Sequence, residues 1–197
     1  MSGSRDPGRR GKVKVVLAGT PHAGKASIVR ALCRKFDAPP LHTLAVAGAS
    51  AVVGDFVWPE PLPDGGYLTV EVHTFYGAPD HRALSRLLLQ GADGIVFLAD
   101  AEPARVGHAP AYLQEFLGDT DAIELDWGAV TVAVQYHRIE TCPGFHTDVM
   151  NHFLQIPEGQ LECFASTADP GDDATAAIEW VIRQIVQKAM PEQAAAG

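Results

Sequence analysis

The stretch VKVVLAGTPHAGKASIVRALCRKF (residues 13–36) constrains the fold more than any other part of the chain. Its first seven residues are an apolar run, rich in β-branched side chains, that ends at a glycine. From Gly24 onward, Ile28, Val29, Leu32 and Phe36 recur at helical spacing. Strand, glycine-bounded loop, helix is the geometry in which backbone N–H groups close around an anion at a helix N-terminus. The loop itself, GTPHAGKAS (residues 19–27), matches G-x-x-x-x-G-K-[ST] at every fixed position except the last, where Ala26 replaces a hydroxyl residue. In that pattern the glycines shape a phosphate cradle, the lysine reaches the terminal phosphates and the hydroxyl binds magnesium. Gly19, His22, Ala23, Gly24 and Lys25 are therefore candidate phosphate contacts, with Ala26 and Ser27 opening the helix. The Ala26 methyl can hold no metal, and neighbouring Ser27 is turned about 100° from it on a helix.

The rest of the chain alternates strand and helix signals. Residues 37–66 hold much of the proline and several glycines, and read as a mobile loop running into the strand AVVGDFVW (51–58). PLPDGGY then marks a hairpin into YLTVEVHTF (67–75). A helix follows over PDHRALSRLLLQ (79–90), then GIVFLAD (94–100), whose unbroken apolar run predicts a buried strand. Further helices are expected at 109–119, 144–155 and 172–190, with strands at 129–136 and 161–167. This order predicts an α/β domain over residues 12–190: a mostly parallel six-stranded sheet with one antiparallel strand and helices on both faces. Residues 1–11 read as a flexible arm and 191–197 as a disordered tail.

Composition narrows the partners. A net charge of −9 argues against nucleic acid or an anionic membrane surface, and the basic run RRGKVK (9–14) reads as a solvated arm. No apolar run approaches the ~20 residues of a membrane span, and neither end carries a signal or lipidation motif, so no direct membrane anchor is expected. Three cysteines without a C-x-x-C pair suggest neither a disulfide framework nor zinc, and point to a reducing cytoplasm. The eight histidines form no ligand spacing. His22, inside the cradle, could favour an anion when protonated or simply point outward.

Read in order, GTPHAGKA, TFYGAPDHRALSRLLLQGADGIVFLAD, VAVQYHRIE and FASTA resemble the P-loop, switch II and base-reading motifs of Ras-like small GTPases, and most closely the MglA group of bacterial polarity GTPases. The resemblance covers residues 12–188 and implies a Ras-like P-loop NTPase fold with GTP or GDP as ligand. It places Thr74, Phe75, Tyr76 and Gly77 in the frame of the group's T-x-P-G-Q motif, so that Ala78 stands where the family has its water-orienting glutamine. Ala51 falls at the switch I threonine and Ser50 at the arginine before it. His137, Arg138, Ile139 and Glu140 fall on N-K-x-D; Glu140 could still read guanine or could be an ordinary solvated loop residue. Ala165 and Ser166 fall where the family presents a backbone N–H to the base oxygen, with Thr167 beside them. Asp100 could hold magnesium through water or cap the next turn.

Three functions follow. The first is a degenerate switch or pseudo-GTPase, binding guanine nucleotide weakly or without efficient hydrolysis and acting through protein partners in polarity or signalling. The second is an active GTPase with non-standard magnesium ligands. The third is an unrelated P-loop phosphotransferase, disfavoured because residues 101–160 hold only two arginines, Arg105 and Arg138, for a lid. Losses at four chemical positions favour the first. The resemblance implies a roadblock-fold homodimer as partner, docking on residues 79–90, with His81, Arg82 and Arg86 outward and Leu84, Leu87 and Leu88 inward.

Overall fold

The computed structural model describes residues 10–46, 49–62, 65–76, 82–157, 159–169 and 171–189. Its elements run β1 (Arg10–Gly19), α1 (Lys25–Lys35), β2 (His42–Val46), β3 (Ala49–Val57), β4 (Tyr67–Tyr76), α2 (Arg82–Leu89), β5 (Gly94–Asp100), α3 (Pro103–Val106), α4 (Ala109–Ala122), β6 (Thr131–His137), α5 (Thr147–Phe153), β7 (Glu162–Ser166) and α6 (Ala176–Ala189). Single 3₁₀ turns follow β6 and precede α6.

The strands form one mixed sheet in the order β2-β3-β4-β1-β5-β6-β7. β3 pairs antiparallel with both β2 and β4, and β4-β1-β5-β6-β7 are mutually parallel, so β3 alone runs against the rest. The sheet therefore has seven strands rather than the six expected. The additional one is β2, inside the stretch read as a mobile loop. Thr43, Leu44 and Ala45 are exposed, so hydrogen bonding to β3 rather than side-chain burial defines this edge strand.

Period-two alternation divides the core. Val13, Val15 and Leu17 of β1 face one side, where Ile28, Val29 and Leu32 of α1 and Ile178, Val181 and Ile182 of α6 cover them. Val16 and Ala18 face the other, against Leu89 of α2, Leu113 and Phe116 of α4 and Met150 of α5. β5 is buried along its whole length, as its apolar run implies. No helix among the described residues is long and apolar enough to cross a membrane.

The chain leaves β1 toward β4 on one side and, after β4, reaches β5, β6 and β7 on the other. β1 is thus the switch point of the sheet, and a crevice opens beyond the carboxyl ends of the strands there. Gly19, Asp100, His137 and Ser166 are the last residues of β1, β5, β6 and β7, which gathers residues from four separate stretches of sequence on one edge.

Candidate functional site

The loop between β1 and α1 owes its shape to two glycines. Gly19 leaves β1 at φ 120°, where a Cβ would run into the Leu98 backbone. Gly24 caps α1 in the left-handed region at φ 88°, where a Cβ would press on the His137 ring at 3.1 Å. His22 is also left-handed, at φ 60°, with an exposed side chain. Strain at a non-glycine residue is the kind that gathers at binding sites. The loop is tied to β5 by the Thr20 N–H on the Leu98 carbonyl at 3.0 Å and by the Asp100 N–H on the Thr20 hydroxyl at 3.2 Å.

The backbone N–H groups of His22, Gly24, Lys25 and Ala26 have no acceptor among the described residues. They lie at the start of α1, where the peptide dipoles favour an anion. Lys25 folds back over the same loop. Its Nζ donates to the carbonyls of Gly19 at 3.0 Å and Thr20 at 2.7 Å, and burial pushes its pKa down to about 8. Ala23 and Ala26 are buried, while Ser27 is exposed. Ser27 therefore points away from the direction Ala26 takes.

The loops after β6 and β7 stand beside this one. Arg138, left-handed at φ 63°, reaches across: its guanidinium donates to both carboxylate oxygens of Asp100 and, at 3.1 Å, to the His22 carbonyl. Asp100 has no exposed surface. It also receives Arg105 at 3.3 Å and the Glu102 N–H at 3.0 Å, which ties down the turn from β5 into α3. His137 Nδ1 lies 2.9 Å from the Ser166 hydroxyl, which also accepts from Gln135 Nε2 at 2.7 Å. Burial pushes the His137 pKa down, against the opposing charges of Glu140 and Asp173.

No protein-family model matches this chain, and no curated protein is significantly similar to it.

The remaining sequence-derived residues divide. Glu140 sits in the 3₁₀ turn after β6, and its carboxylate accepts the Ala168 N–H at 3.2 Å. The Thr167 N–H donates to Asp173 Oδ2 at 3.1 Å, and the Thr167 hydroxyl reaches the same oxygen at 3.3 Å. Gly77 and Ala78 lie outside the described residues, as does His81. Thr74 is buried and donates its hydroxyl to the Leu17 carbonyl at 2.9 Å. Ala51 lies within β3, paired with both Leu44 and Phe75 and packed on Leu84 and Leu88 of α2. On α2, Leu84 and Leu88 are buried as expected, but Leu87 is 54% exposed. Arg82 and Arg86 both donate to the Asp119 carboxylate on α4, at 3.1 and 3.0 Å.

The donors of this loop are of the kind that a phosphate group accepts from. N–H groups without an acceptor among the described residues and a lysine meet at the loop, and Asp100, the carboxylate at the end of β5, already receives Arg138 and Arg105. The described residues contain no group of three His, Cys, Asp or Glu placed to hold a metal.

Sequence reasoning missed two partners. Arg138 and Asp100 are 38 positions apart, and the β5/β6 register that pairs Asp100 with His137 is what brings them together. Asp173, after a glycine and before α6, reads as a helix start, yet its carboxylate turns back to Thr167.

Proposed function

We propose that this protein is a degenerate Ras-like switch of the MglA type: a P-loop domain that takes up the phosphates of a guanine nucleotide weakly, turns them over inefficiently if at all, and acts through a protein partner. The observation that carries the reading is the β1–α1 loop at the switch point of the sheet, where the N–H groups of His22, Gly24, Lys25 and Ala26 have no acceptor among the described residues and the Lys25 ammonium folds over the loop. The motif resemblance adds the family, and the departures at Ala26, Ala51 and Ala78 supply the degeneracy. A hydroxyl-free metal position does not stabilise magnesium, and an alanine cannot orient attacking water. The partner surface is the outer face of α2, with exposed Leu87 beside Arg82 and Arg86, and a roadblock-fold homodimer is the partner the family suggests.

An active GTPase with unusual ligands would need oxygens to replace those lost, and the Asp100 carboxylate already receives Arg138 and Arg105. Three measurements test the proposal. Any nucleotide that co-purifies with the protein should be guanine-based and weakly held. Single-turnover hydrolysis of GTP should run at or below about 10⁻⁴ per second, and a rate far above this contradicts the reading. GDP affinity should change little on chelation of magnesium, and Ala26→Thr should create a dependence; a strong requirement in the unaltered protein returns the active GTPase to the lead.

A further inference from the structure

We infer that β2 is a self-association surface, which pairs antiparallel with β2 of a second copy of this chain and joins two sheets into one. This goes beyond the reading of the β1–α1 loop and does not depend on it. β2 ends the sheet with β3 as its neighbour, so alternate residues of His42–Val46 turn their N–H and C=O groups away from the protein. Among the described residues no strand pairs with that outer side. An edge is ordinarily blunted by lysine, proline, a bulge or a covering element. HTLAV holds neither lysine nor proline, and its register runs from His42↔Val53 to Val46↔Ala49 without a skipped residue. His42, Thr43, Leu44 and Ala45 are exposed. The opposite edge, β7, is better guarded. It starts at exposed Glu162, its Cys163 thiol donates to Asn151 of α5 at 3.2 Å, and its Phe164 ring packs on Trp180 of α6.

The residue pattern of β2 favours a second copy over a charged partner. A two-fold axis at Leu44 sets Leu44 against itself, Thr43 against Ala45 and His42 against Val46. A charged residue near the axis would meet its own like charge, and Thr43, Leu44 and Ala45 carry none. The two His42 residues fall at opposite ends of the paired stretch, about 14 Å apart along the strands. Each has a carboxylate of its own sheet beside it, Asp55 at 3.6 Å. Leu44 is 52% exposed, and Ala51, its partner in the ladder, packs against Leu84 and Leu88 of α2. Bringing two Leu44 side chains together therefore extends an apolar cluster that β3 and α2 have already begun. Five paired residues from each copy bury less than the roughly 1,200–2,000 Å² of a standard interface, so the dimer is weak and depends on concentration.

The test is sedimentation velocity of the full chain over a wide range of concentration, with and without substitutions in β2. The unaltered protein should pass reversibly from monomer to dimer as concentration rises. Leu44→Lys sets two ammonium groups against each other at the axis and should weaken dimerisation about tenfold or more. Its unfolding midpoint should not move, because Leu44 is exposed in the single chain. Mild oxidation reads the register. Opposed Cα atoms of an antiparallel pair lie about 4.5–5.5 Å apart, within disulfide reach. Leu44→Cys should therefore be captured as a covalent dimer, whereas Thr43→Cys and the unaltered protein, with its own Cys33, Cys142 and Cys163, should not. A monomer at every concentration overturns the inference. So does a dimer that Leu44→Lys leaves intact, a Leu44→Cys protein that is not captured, or capture of Thr43→Cys as readily as Leu44→Cys.

Discussion

Two loop regions share the carboxyl edge of the sheet and treat their backbone donors in opposite ways. In the β1–α1 loop the N–H groups of His22, Gly24, Lys25 and Ala26 have no acceptor among the described residues. After β7 the N–H groups of Thr167 and Ala168 are held by Asp173 and Glu140. An unpaired donor carries a penalty that a ligand can remove, whereas a donor already bound to a carboxylate gains little from exchanging it. One end of the crevice is therefore prepared for an anion, and the other is already satisfied. A motif comparison sees the first loop kept at every fixed position but one and the N-K-x-D position largely replaced; the hydrogen bonds add which donors are already taken.

The largest expected effect breaks the open end. Gly19→Ala forces a Cβ into the Leu98 backbone at φ 120°, and should cost about 3–5 kcal/mol in denaturant unfolding. A loss below about 1 kcal/mol would mean that the loop shape is not fixed by this residue. Next comes the tie between the two ends. Arg138→Ala leaves the fully buried Asp100 with Arg105 as its remaining cation and frees the His22 carbonyl, for a loss of about 2–4 kcal/mol. Arg105→Ala should cost under about 1 kcal/mol, since that side chain is 41% exposed. Equal losses would show that Arg138 is not the main brace.

Lys25 sharpens the comparison. Lys25→Ala should weaken pyrophosphate binding about ten- to a hundredfold, the worth of one or two charge-assisted hydrogen bonds. The empty protein behaves differently. Burial holds the Lys25 pKa at about 8, below the ordinary 10.5, so between these values the unfolded chain binds more protons and stability rises with pH. The two carbonyl contacts favour the ammonium and limit this rise to about 1–2 kcal/mol. Lys25→Met should flatten it, and an unchanged alkaline limb would place the amine in water.

The smallest effect belongs to His137. Its pKa is lowered by burial, so the stability contributed by the neutral ring is present above the unfolded value of 6.5 and is lost as pH falls. His137→Asn should remove about 0.5–1 kcal/mol of this acid-side loss. His73, which burial shifts in the same direction, keeps part of it. An acid limb that does not move in His137→Asn would mean that the ring is hydrated.

The sequence exposes the open end far better than the satisfied one. Residues 13–36 announce strand, loop and helix because local spacing alone sets all three, and the alternation that follows gives the strand directions. β2 escapes because an exposed edge strand of five residues leaves no alternation against a core. Leu87 escapes because α2 carries four leucines, Leu84, Leu87, Leu88 and Leu89, and only the helix phase decides which one turns out. The ties from Arg138 to Asp100 and from Thr167 to Asp173 depend on strand register and on the path of a turn, neither of which residue spacing records. The missing hydroxyls were visible at once, whereas the donors occupied at the other end required the hydrogen bonds themselves.

The most direct test of an open loop beside a satisfied one is to titrate the unaltered protein and Lys25→Ala with pyrophosphate under the same conditions. Saturable binding that weakens about ten- to a hundredfold in Lys25→Ala is what the open β1–α1 donors and the Lys25 ammonium predict. No binding by the unaltered protein, or equal affinity in the two, would contradict the account.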